Sequence, residues 1–148
     1  MNPRVNISPP VAVELATGAG TLRGLRWGIT GDAPILALHG WLDNAASFVR
    51  LAPLLADADV VALDLPGHGQ SPEPGCRSIS DYARIAVAFI QETGLISPVL
   101  AGHSMGGAVA LTCGLEFPEK LGGLILVATG SRLRVKESIL AGVRLDFE

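Results

Sequence analysis

Four short, continuously apolar runs recur along this chain with helical stretches between them, and that alternation restricts the fold more than any other feature. Pro34 to Leu38, Val60 to Leu63, Val99 to Ala101 and Leu124 to Val127 are bounded by turn residues and have no polar alternate positions. That is the pattern of strands buried on both faces of a parallel sheet. The intervening segments predict helices at about Ala45 to Leu55, Ser80 to Thr93 and Met105 to Glu116, with Pro98 and Pro118 marking breaks. The second carries Tyr82, Ile85, Ala86, Phe89 and Ile90 at helical spacing, a stripe suited to packing on a sheet. Upstream, Val11 to Leu15 and Thr21 to Trp27 flank a Gly-containing turn and predict an antiparallel hairpin. The expected class is therefore α/β: a mostly parallel sheet with flanking helices, right-handed crossovers and chemistry at the carboxyl ends of the strands.

At 148 residues and 49% hydrophobic, the chain can bury the core of one domain, and with 17% charged residues it has no signature of disorder. The 18 glycines and 10 prolines are dispersed as punctuation between short elements. Lys and Arg total 11 against 14 Asp and Glu, a net charge of −3, which argues against nucleic acid as a partner. No apolar run approaches the roughly 20 residues of a membrane helix, and Met1 to Asn6 do not lead into a signal-type apolar stretch, so the expectation is a cytoplasmic protein with no membrane partner. Cys76 and Cys113 are expected as free thiols.

Gly102-His103-Ser104-Met105-Gly106 fits the pattern G-x-S-x-G between an apolar run and a predicted helix, the context in which a serine becomes an exposed nucleophile on a sharp strand-to-helix turn. Gly107 and Ala108 let the helix lie close to the sheet, and the positive end of its dipole favours developing negative charge at Ser104. The backbone N–H of Met105 is the expected first oxyanion donor and that of Trp41, beside Gly40, the expected second. Gly40, Trp41 and His103 are the expected substrate-binding residues. His39 is read as bracing its loop through hydrogen bonds rather than reacting, and Asp43 and Asn44 as helix caps. Asp64 to Ser71 reads as a rigid turn, with too few clustered ligands for a metal site. Arg132, Arg134 and Lys136 read as a solvated face.

His39 to Phe48, Ala62 to Ser71 and Ala101 to Gly107 together resemble the α/β-hydrolase superfamily, most nearly its serine-hydrolase-like, carboxylesterase-type members, and Leu126 to Val135 resembles the segment leading into the cap of that group. The resemblance implies an α/β-hydrolase core over residues 1–130, reaching about the sixth strand, and the start of a cap over 131–148. It implies hydrolysis of a carboxylic ester or related acyl substrate through an acyl-enzyme on Ser104, with no metal or organic cofactor. Ser104 stands where haloalkane dehalogenases and epoxide hydrolases of this scaffold carry Asp. The family order of Ser, acid, then His finds no match here: His39, His68 and His103 all precede Ser104, and neither Asp146 nor Glu148 is assignable as the acid. Losing the base of a serine hydrolase costs about 10⁶ in kcat. The expectation is accordingly the N-terminal portion of a hydrolase fold, with Leu124 to Val127 as an open apolar edge that invites self-association or a complementing C-terminal half. The alternative is a non-catalytic remnant that binds a partner.

Overall fold

Each apolar run is a strand in the computed structural model, which describes residues 9–18, 20–28, 34–55 and 58–132. In chain order the elements are β1 (Val11–Thr17), β2 (Gly20–Trp27), β3 (Pro34–Leu38), β4 (Asp59–Asp64), α1 (Ile79–Thr93), β5 (Val99–His103), α2 (Met105–Glu116) and β6 (Gly123–Val127). They form a six-stranded sheet in the order β1-β2-β4-β3-β5-β6. β1 and β2 are the expected antiparallel hairpin, β2 joins β4 antiparallel, and β4, β3, β5 and β6 run parallel.

Right-handed crossovers decide which face each connection covers. From β3 the chain steps to β4 on one side and then crosses back past β3 to β5, so the two connections fall on opposite faces. Leu36, Leu38, Val61, Leu63 and Leu100 accordingly pack against Tyr82, Ala86, Phe89 and Ile90 of α1 and Val109 and Cys113 of α2. On the other face Ala37, Val60 and Ala62 meet Trp27, Ala45, Phe48 and Ala52. The period of two along each strand sends alternate residues to these two cores, which is why the runs are apolar throughout. Burial on the α1 face pushes the Cys113 thiol up to about 12, and its Sγ donates to the Ala83 carbonyl at 3.6 Å. Cys76 and Cys113 are both free thiols.

α1 begins where Ser78 accepts the Asp81 N–H and ends at Gly94 with φ 69°. The helix expected at Ala45 to Leu55 is instead two 3₁₀ turns, Ala45–Phe48 and Ala52–Leu54. Pro53 lacks an N–H and its ring would clash with the carbonyl four residues back. The segment is held by tighter bonds, Val49 N–H to Ala46 O at 3.1 Å and Leu54 N–H to Leu51 O at 2.9 Å. These short turns leave the β5–β6 end of their face uncovered. A cavity of about 440 Å³ remains there, lined by Phe48, Leu51, Leu55, Ala101, Ile125 and Val127 among others. No helix among the described residues is long and apolar enough to cross a membrane. The cap expected from residue 131 lies outside the described residues beyond 132, as do Arg134, Lys136, Asp146 and Glu148.

Candidate active site

The sheet order reverses direction at β3, and the crevice this opens between the loops following β3 and β5 is where α/β sheets place their ligands. β5 ends at His103 and α2 begins at Met105, so Ser104 alone turns the chain, with φ 51° and ψ −113°. Holding a non-glycine residue in such a conformation costs about 1–3 kcal/mol and requires surroundings that dictate it. Here they do. A Cβ on Gly102 would run into the Gly106 carbonyl, and one on Gly106 into the Leu38 carbonyl, so both glycines are needed for α2 to start this close to the sheet. The Ser104 N–H donates to Val127 O at 3.0 Å, while Ser104 O accepts from Gly107 N at 3.0 Å, Ala108 N at 3.2 Å and Thr129 Oγ1 at 2.8 Å. The Ser104 hydroxyl makes no capping hydrogen bond to α2.

The loop after β3 closes on this turn. Gly40 is buried, and a Cβ built on it would lie 3.4 Å from Ser104 Cβ and 3.2 Å from His103 Nδ1. The structure thus brings together Gly40, His103, Ser104 and Met105, while Trp41 follows Gly40 and is 40% exposed. Among the described residues no acceptor sits on the N–H of Met105 or of Trp41.

His39 is fully buried between two loops: Nδ1 lies 2.7 Å from Gly40 O, and Nε2 accepts the Leu65 N–H at 3.0 Å. Because Nε2 accepts, the ring proton is on Nδ1, and the side chain is the brace expected for it. Burial lowers its pKa, an effect only opposed in part by its bond to Gly40 O. The His68 ring stands 5.1 Å from it, with Nδ1 at 3.1 Å from Pro66 O. Asp64 is a second tie, its carboxylate accepting the N–H groups of Ala45 at 2.6 Å and Gln70 at 2.9 Å. Gly69 reaches the carboxylate with φ 55°, a place where a Cβ would collide with it. Asn44 caps the first 3₁₀ turn through Ala46 N–H at 2.9 Å, and the Ser47 hydroxyl holds the Asp43 carboxyl below its ordinary value. No group of three or more His, Cys, Asp or Glu among the described residues could hold a metal.

Thr129 escaped the sequence reading. A lone threonine two residues past a strand carries no motif, and only the fold shows that it reaches Ser104 across 25 positions.

The model of the alpha/beta hydrolase fold family matches residues 33–143. A serine hydrolase-like protein of Mus musculus is 41% identical over 123 residues, covering 78% of this chain and 38% of that protein. Among solved structures, a thermophilic esterase is similar with a TM-score of 0.80 and 31% identity over 91% of this chain and 51% of its own. A membrane phospholipase A, a bacterial virulence factor, is similar with a TM-score of 0.82 and 25% identity over 90% of this chain and 46% of its own. The chain therefore spans about half, or less, of the length of these relatives.

Proposed function

We propose, because this chain belongs to the alpha/beta hydrolase fold family, that Ser104 is the nucleophile of a serine hydrolase acting on a carboxylic ester or a related acyl substrate. The observation that carries the reading is the backbone of Ser104, held at φ 51° between β5 and α2 with its hydroxyl making no capping hydrogen bond to the helix. In this reading Ser104 Oγ attacks the acyl carbon and loses its proton to a base. The alcohol departs with a proton, and water then hydrolyses the acyl-enzyme. The N–H groups of Met105 and Trp41 hold the oxyanion, each such donor supplying about 3 kcal/mol to the transition state. Gly40, Trp41 and His103 line the acyl end of the substrate, a small molecule.

His39 is not the base, because its two ring nitrogens are engaged by Gly40 and Leu65. No described residue takes the role of triad acid in this reading. The names of the mouse relative and of the thermophilic esterase support serine and ester chemistry for this chain. The edge of β6 is proposed as the place where a second copy or a complementing half meets the sheet.

The test is turnover of a small activated ester by wild type and by Ser104→Ala. Turnover that falls to background in Ser104→Ala is the expected result. Equal rates in the two proteins would replace this reading with that of a hydrolase fold retained for binding.

A further inference from the structure

Two hydrogen bonds reach the Ser104 turn from the end of β6 and the segment that follows it. Val127 O takes the Ser104 N–H at 3.0 Å, and Thr129 Oγ1 donates to Ser104 O at 2.8 Å. Ser104 O belongs to the same planar peptide unit as the Met105 N–H, and in a trans peptide the C=O and N–H point in opposite directions. Cis geometry is confined to Glu73-Pro74 among the described residues. Whatever fixes the direction of Ser104 O therefore fixes that of the Met105 N–H.

The other donors to Ser104 O, Gly107 N and Ala108 N, come from α2 itself and move with it. Thr129 is the donor from outside the helix. It is also wedged in place, because the space a Cβ on Gly107 would need is filled by the Thr129 side chain. Its backbone follows Ala128, which has φ 47°, so the segment bends out of β6 in a way that turns Thr129 toward the turn.

We infer that Thr129 is a positioning residue: its hydroxyl holds the Ser104–Met105 peptide from outside α2 and keeps the Met105 N–H aimed at the crevice, where an oxyanion on the substrate would form. The inference rests on the reading of Ser104 as nucleophile and adds to it the residue that orients its oxyanion donor. It also gives Gly107 a role, since any side chain there would expel Thr129.

The test uses the full chain and three variants: Thr129→Val, which keeps the shape against Gly107 without the hydroxyl, Thr129→Ser, which keeps the hydroxyl, and Ser104→Ala as the labelling control. One readout is the Ser104 carbonyl ¹³C shift, observed through the Met105 amide. The second is the rate at which Ser104 takes a fluorophosphonate probe, in which an Oγ–P bond forms, the P–F bond breaks, fluoride leaves and the hydroxyl proton passes to solvent.

Thr129→Val is expected to move the carbonyl signal upfield and to slow labelling about tenfold to a hundredfold, as misaiming a reacting group does. Thr129→Ser is expected to restore both. A carbonyl shift and labelling rate unchanged in Thr129→Val, or a Thr129→Ser that behaves like Thr129→Val, would overturn the inference. Ser104→Ala that still takes the probe would sink the nucleophile reading instead, and the carbonyl shift would still decide whether Thr129 holds the peptide.

Discussion

Ser104 keeps φ at 51°, a region open to glycine and strained for serine, and its hydroxyl makes no capping hydrogen bond to α2. Ser104→Gly should therefore abolish labelling and ester turnover while making the protein more stable. Relief of about 1–3 kcal/mol of strain, less the 0.5–1 kcal/mol or so that glycine's extra freedom in the unfolded chain costs, leaves a net gain of about 1 kcal/mol. For a domain of this size that raises Tm by about 2–4 °C, and a melt showing a lower Tm would contradict the strain argument. His39 makes a pH prediction of definite sign. Burial lowers its folded pKa below the usual 6.5, so the unfolded chain binds the proton more readily and acid favours unfolding. Its contribution is full above about pH 6.5 and is lost as pH falls from there toward the lowered folded value. The urea midpoint should decline over that window, and His39→Gln, which carries no titrating group, should flatten the slope while lowering the plateau.

The turn between β5 and α2 depends on glycines that face backbone rather than side chains, so nothing flexible can yield. Gly102→Ala should cost about 3 kcal/mol, at the upper end of overpacking, because its Cβ meets the Gly106 carbonyl. Gly40→Ala has only side-chain atoms at 3.2–3.6 Å as neighbours and should cost well under that in denaturation while still crowding the crevice. An equal loss in the two variants would refute the distinction. At this scale the sequence was informative where one signal dominated: β3 and α2 begin and end where their apolar pattern and breaks place them. It misled at Ala45 to Leu55, where the apolar pattern suits a helix but Pro53 forbids the bonding. Pairings made by the sheet itself were not legible, because Arg26 and Asp59 lie 33 positions apart and meet in a two-pronged ion pair only once β2 and β4 are in register. Thr129 was hidden for the same reason.

Across the whole molecule, crossover handedness sets which face each connection covers, and the strand order puts β6 at an edge of the described sheet with both its faces apolar. Leu124, Ile125, Leu126 and Val127 are 38, 46, 44 and 47% exposed, and β6 carries no charge, proline or bulge of the kind that protects natural edges. Leu124 reaches toward Gly114 of α2, whereas Ile125 lines the cavity left open beside Phe48 and Leu51. A substitution at Ile125 therefore tests the edge with the least disturbance of the α2 side. Two copies that pair along β6 would satisfy the unpaired backbone groups and bury apolar surface at about 25 cal/mol per Å². Sedimentation velocity should accordingly show a weight-average coefficient that rises with protein concentration. Ile125→Lys should remain monomeric over the same range, since an edge lysine would have to be buried or displaced for the pairing to form. Its urea midpoint should stay close to wild type, a surface change being worth about 0.5 kcal/mol or less, so that lost association is not mistaken for unfolding. A wild-type chain that stays monomeric throughout would show that apolar exposure on β6 does not by itself drive copies together.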